Sequence, residues 1–125
     1  MAETEKITIN MNVVDLGKVD LLVEQGFYSN RTDFIKTSIR NQLSIHANVV
    51  DNIITDKSYV IGVSHYNRES LEKVLEQNKI LDIKVVGMLV LADDIDEELA
   101  IKTIKSLKVF GVLKATPKIK NVLKQ

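Results

Sequence analysis

Cysteine is absent from this sequence, which removes disulfides, thiolate metal sites and thiol nucleophiles and fits a reducing cytoplasm. The first residues, MAETEKITIN, lack the basic stretch and apolar run of a signal peptide. The longest mainly apolar run, Val85 to Ala92, is far too short to span a bilayer. The chain therefore reads as a soluble, cytoplasmic protein. An excess of one charge is also missing: 17 basic residues meet 17 acidic ones, so composition alone does not announce a nucleic-acid binder. There is no glycine-rich phosphate loop, no nucleophile elbow and no acid/base pair, and we expect no enzyme. Internal repeats and low-complexity stretches are absent too.

What is present begins with an alternation. In Lys6 to Val13, KITINMNV, residues Ile7, Ile9, Met11 and Val13 share one face; Lys6, Thr8, Asn10 and Asn12 share the other. Period two marks a half-buried strand. The next strand-like segment lies about fifty residues on, and a lone strand leaves its backbone groups unpaired. The simplest partner is the same strand of a second copy, antiparallel about a two-fold axis.

Two helices follow. Asp15 is a plausible N-cap for Leu16 to Gln25, with Leu16, Val19, Leu22 and Val23 on one stripe. Gly26 supplies the left-handed residue that closes it. Asn30 opens a second helix, with Asp33 three residues later in a variant of the capping box. Phe34, Ile35, Ile39 and Leu43 form its expected buried face. Short helices need tertiary packing, so a strand and two helices in some 45 residues should dimerise.

The stretch KITINMNVVDLGKVDLLVEQGFYSNRTDFIKTSIRNQL resembles the ribbon-helix-helix regulators, the group that includes Arc, MetJ, CopG and NikR. The matching features are the alternating strand, Leu-Val-Glu-x-Gly, Phe27 to Ile35 and Ile39-Arg40, in that order over the N-terminal third to half of the chain. The resemblance implies a homodimer, or a tetramer, that places a two-stranded ribbon in the major groove of double-stranded DNA, where base edges carry a unique donor and acceptor pattern. It makes Lys6, Thr8 and Asn10 the base-reading residues, and puts Asn30, Arg31 and Thr32 at the helix end that meets phosphate. Alternation alone describes the solvent side of any edge strand; the helices downstream turn the reading toward DNA. Arg31 has acidic neighbours in Asp33 and Glu24, and Asn30 is first of all a cap. Segment 1–46 carries five basic residues against six acidic ones, which weakens non-specific attraction to phosphate.

Farther on, Ile45, Val49, Val50, Ile53 and Ile54 extend the second helix to about Ile54, and Thr55-Asp56-Lys57 reads as a break. Strands are expected at Ser58 to His65, Ile83 to Ala92 and Val109 to Leu113. Between them come helices capped by Asn67, ending near Lys79, and by Asp94 or Asp96, with Leu99, Ile101, Ile104 and Leu107 turned inward or partly so. Thr116-Pro117 supplies the cap and first-turn proline of a last helix bearing Ile119, Val122 and Leu123. Gly62, Gly87 and Gly111 lie in or beside strands, which suggests close packing or bulges.

The expected fold is α+β: a ribbon-helix-helix module at 1–46, a helical extension at 47–57, and a small α/β domain of ferredoxin-like or related type, β-α-β-α-β-α, at 58–125. The last resembles a shortened form of the regulatory domain of NikR, but the several histidines and the cysteine of that nickel site are not carried over. His46 and His65 are the only histidines, and the carboxylates at 93–98 lack the spacing and glycine of a calcium loop. We expect neither metal nor cofactor. The expected function is a transcriptional regulator, a repressor, whose C-terminal domain joins dimers or senses an effector that the sequence does not specify. An antitoxin-like protein whose C-terminal domain binds a partner protein, or an assembly protein without DNA binding, are the alternatives.

Overall fold

The structure, a computed structural model, describes residues 3–123. It divides into two compact units, with the division after Asn52. No described helix is long and apolar enough to cross a membrane.

In the first unit, residues 3–12 form neither helix nor strand. Helix α1 spans Val13–Glu24, and its cap is Asn12 rather than Asp15: the Asn12 side chain accepts from the Val14 and Asp15 amides at 2.9 and 3.2 Å. An amide oxygen three residues earlier captures the free N–H groups first, and Asp15 is left in the first turn, where its charge suits the helix dipole. Val13 thereby leaves the strand face and starts the helix. The expected stripe does turn inward, with Val19 buried and Leu16, Leu22 and Val23 half-buried. Gly26, at φ +87°, closes the helix. Its N–H reaches the Val23 carbonyl and that of Phe27 the Leu22 carbonyl, the paired bonds of a Schellman end.

Helix α2 spans Arg31–Ile45 and packs on α1. Asn30 caps it by accepting from the Asp33 amide at 2.8 Å, and the Asp33 carboxylate accepts from Ser29 N–H at 2.9 Å. Tyr28 meets Phe34 edge-on with ring centroids 5.0 Å apart. Only part of the expected buried face is covered: Phe34 and Ile35 are half-buried, whereas Ile39 and Leu43 are exposed. The helix does not run unbroken to Ile54. His46, at φ −97° and ψ 8°, interrupts it, and α3 resumes over Ala47–Lys57. The break expected at Thr55–Lys57 comes at Ser58, whose φ is +58°; the Tyr59 N–H then closes on the Ile54 carbonyl.

The second unit is a parallel sheet with helices. Strands β1 (Val60–Tyr66), β2 (Leu81–Leu91) and β3 (Ile104–Lys114) lie in the order β1-β2-β3, every pair parallel. Parallel neighbours need crossovers, supplied by α4 (Arg68–Glu76) and α5 (Glu97–Thr103), with α6 (Pro117–Val122) after β3. The element order matches the sequence reading. The parallel pairing differs from a ferredoxin-like sheet, whose β-α-β-β-α-β order includes consecutive strands. Because the strands follow one another across the sheet, right-handed crossovers set α4 and α5 on one face. Contacts of α5 with both α4 and α6 join the three into one layer.

The core lies between this layer and the sheet: Ile83, Val85, Leu89 and Leu91 of β2 meet Leu71 of α4, Leu99 of α5 and Ile119 of α6. Asn67 and Ser70 form a reciprocal capping box on α4. Asp96 caps α5, accepting from Leu99 N–H at 2.7 Å, while Asp94 accepts from the first amide of α4, Arg68 N–H, at 3.0 Å. Two expectations fail here. Ile104 and Leu107 belong to β3, which is longer than Val109–Leu113, and Ile101 is exposed; a register shift where β3 begins to pair with Leu81 and Asp82 lets Ile104 and Leu107, three residues apart, both be buried.

Register sets Gly62, Gly87 and Gly111 side by side, at φ +127°, +138° and +117°. A Cβ on Gly87 would fall inside the contact distance of the Gly62 carbonyl oxygen, and one on Gly111 would strike that of Gly87. The glycines therefore let three strands approach along one line, the close packing that the sequence suggested. Gly87→Ala is expected to destabilise this unit by about 2 kcal/mol or more, since strained backbone alone costs about 1–3 kcal/mol. Gly17→Ala, on α1 with open space around its Cβ position, is expected to stabilise by about 0.5–1 kcal/mol. Urea unfolding measures both; equal midpoints for the Gly87 variant and the parent would show that the ladder tolerates a side chain.

Candidate nucleic-acid interface

Lys6, Thr8 and Asn10 lie in the exposed segment ahead of α1. The opposite parity is equally uncovered: Ile7 is 79% and Ile9 62% exposed, and only Met11 is half-buried. Among the described residues the segment pairs with no strand, and the strand expected over Lys6 to Val13 is not formed in the single chain: it has no edge to bond to, and Val13 opens α1. Two exposed isoleucines cost free energy of burial that a partner surface would recover, on the order of 1.5–3 kcal/mol each. Asn12 belongs to a different task, as the α1 cap.

The other three candidates gather at the start of α2. Asn30 spends its side-chain oxygen on the Asp33 amide, so its role in the free protein is structural. Thr32 is exposed. Arg31 is not idle: its Nε and one terminal nitrogen donate to the two carboxylate oxygens of Asp20, at 2.7 and 2.8 Å. This fork ties α2 to α1. The partner is neither Asp33 nor Glu24, because an arginine at the first helical position points back across the α1–α2 joint rather than along its own helix. Hydrogen bonding by Arg31, reinforced by its charge, holds the Asp20 carboxyl below the usual carboxylate range; the same hydrogen bonds raise Arg31 above its ordinary value. The first turn of α2 thus presents free amides flanked by the carboxylates of Asp33 and Asp20, a weaker anion site than an uncompensated helix end.

The arrangement is chemically simple. Side chains that donate and accept stand on an exposed segment ahead of α1, and the start of α2 carries a cation held by a carboxylate. Among the described residues no three His, Cys, Asp or Glu residues gather in a way that could hold a metal ion.

Among protein families, the model of the ribbon-helix-helix transcriptional regulator family matches residues 2–120. The match extends well past the N-terminal segment that carries the resemblance and takes in the parallel sheet. No curated protein and no solved structure matches the chain.

The Arg31–Asp20 pair generates a prediction. If Arg31 exchanges Asp20 for a phosphate on binding DNA, Asp20→Asn frees it beforehand, and the salt dependence of binding should steepen by roughly one counterion. Acid should act in the same direction. Because the Asp20 carboxyl titrates below its ordinary value, the pair holds above the usual carboxylate range and is lost as pH falls through that lowered value. Fluorescence anisotropy across a salt series measures the slope; an unchanged slope in Asp20→Asn would leave Arg31 a joint between helices and nothing more.

Proposed function

The chain belongs to the ribbon-helix-helix transcriptional regulator family, a family of DNA-binding regulators rather than enzymes, and on that footing we propose that it is a sequence-specific repressor working as a homodimer. In this reading the segments around Ile7 and Ile9 of two copies pair antiparallel. Their isoleucines turn onto α1 and α2, and Lys6, Thr8 and Asn10 of each copy face the major groove. Lysine suits the guanine acceptors, asparagine bonds bidentately to adenine, and threonine bonds to either partner or touches the thymine methyl. Asn30, Arg31 and Thr32 then meet the backbone phosphates and fix the register of the ribbon.

The observation that carries this reading is the alternating segment that a single chain leaves unpaired and exposed. Along it the base-reading types Lys6, Thr8 and Asn10 alternate with the exposed apolar side chains Ile7 and Ile9. Its near-neutral charge makes the contacts to bases, rather than attraction to phosphate, the main source of affinity. That same charge, together with the engagement of Arg31 by Asp20, favours one second reading: an assembly protein that keeps the dimer and has given up DNA. Salt separates them, because a DNA binder loses affinity as salt rises.

Selection of random duplex DNA on the purified protein should enrich a palindrome or tandem repeat. On that sequence Lys6→Ala and Asn10→Ala are each expected to weaken binding by about 1–3 kcal/mol while leaving the dimer folded. Unaltered affinity in both variants would remove the ribbon as the reading face, and a failure to enrich any sequence would favour assembly.

A further inference from the structure

The strands of the parallel sheet are apolar on both sides, and helices cover only one. Register puts Ile61, Val86 and Phe110 in one row across the sheet and Val63, Met88 and Val112 in the next. Alternation points these six away from the core residues Ile83, Val85, Leu89 and Leu91. Met88, in the middle, is buried by its neighbours, but Ile61 is 65% and Phe110 51% exposed. Parallel sheets occur almost only with both faces covered, and what covers them is helix.

The rim of the bare face carries three lysines and one carboxylate: Asp82, on the same side of β2, lies 3.9 Å from the Nζ of Lys84, which also donates to the Lys57 carbonyl at 3.3 Å. Lys84 and Lys108 pair in the row before Ile61, Val86 and Phe110, and Lys114 stands beyond Val112 on the same face. Lys108 holds its Nζ 5.3 Å from the Phe110 ring centroid. The matching cover is a short helix, apolar along one stripe and acidic at its polar positions. Helix α3 has this character: Val49, Val50, Ile53 and Ile54 fall on one side of it, the first three exposed, and its charged residues are Asp51, Asp56 and Lys57.

We propose that the open face of the β1-β2-β3 sheet is the docking site for α3 of a second copy of this chain, with Asp51 and Asp56 set against the lysine rim. The proposal rests on the dimer inferred above, which holds the second copy at an effective concentration on the order of millimolar. Charge decides against the nearest competitor: two sheet faces stacked on each other would bring Lys84, Lys108 and Lys114 toward the same residues of the partner. Pairing α3 with α3 would hide the stripes and leave both sheets bare. Exchange of α3 covers both surfaces at once.

The absence of native cysteine makes the test clean. Full-length chains carrying Ile53→Cys or Val63→Cys are co-refolded, oxidised under mild conditions and resolved without reductant. The expected result is a disulfide between the two different chains, lost when Asp51→Lys and Asp56→Lys are added to the helix-bearing chain. Cross-linking of Val63→Cys to itself would show sheet against sheet, and of Ile53→Cys to itself helix against helix; either overturns the docking. So does free alkylation of the Val63→Cys thiol in a chain that sediments as a dimer, which would leave the dimer itself standing. A chain that sediments as a monomer would overturn both.

Discussion

Burial that one copy cannot complete governs the N-terminal unit. Of the buried apolar side chains among the described residues, only Val19 precedes the parallel sheet. Two short helices joined around one buried valine do not hold a fold, since helices of this length take their stability from packing. The apolar groups needed for a core are nonetheless there: Ile7 and Ile9 on the leading segment, Ile39 and Leu43 on α2, all exposed. In the proposed dimer a second copy would supply both the missing strand and the missing side of the core. On that proposal dimerisation and formation of the ribbon would be one event, because the pairing that buries Ile7 and Ile9 would turn Lys6, Thr8 and Asn10 outward.

The second unit obeys the same constraint in a milder form. Its core between sheet and helices is continuous, from Leu71 on α4 to Ile119 on α6, and its helix caps are local apart from the Asp94 carboxylate on the Arg68 amide. The remaining apolar surface is a sheet face rather than a missing core. A fold with one such face left over is suited to joining copies, and the family match over residues 2–120 treats both units as parts of one pattern.

Much of this was legible in the sequence wherever the cause is local. Gly26, Asn30, Asn67 and Thr116-Pro117 each act on amides or carbonyls within a few residues, and each ends or begins a helix where expected. Where two local candidates compete, the sequence is ambiguous: Asn12 and Asp15 both suit an N-cap, and the earlier one takes the role. Features that depend on distant partners were not readable. The parallel pairing of β1, β2 and β3 leaves no trace in the alternation of any one strand. The glycine ladder shows only when register lines up Gly62, Gly87 and Gly111. The Arg31–Asp20 fork joins residues eleven apart on different helices, outside the three- and four-residue spacings that sequence reading can score. Residue type, parity and family resemblance are what point Lys6, Thr8 and Asn10 toward DNA.

The most direct test of the central claim is amide hydrogen exchange of residues 6–12 as a function of protein concentration. If two copies pair through this segment, alternate amides are protected where the chain is dimeric, and protection falls together with the dimer on dilution. Rapid exchange of the whole segment at concentrations where the chain sediments as a dimer would show that the copies meet elsewhere and that no ribbon forms.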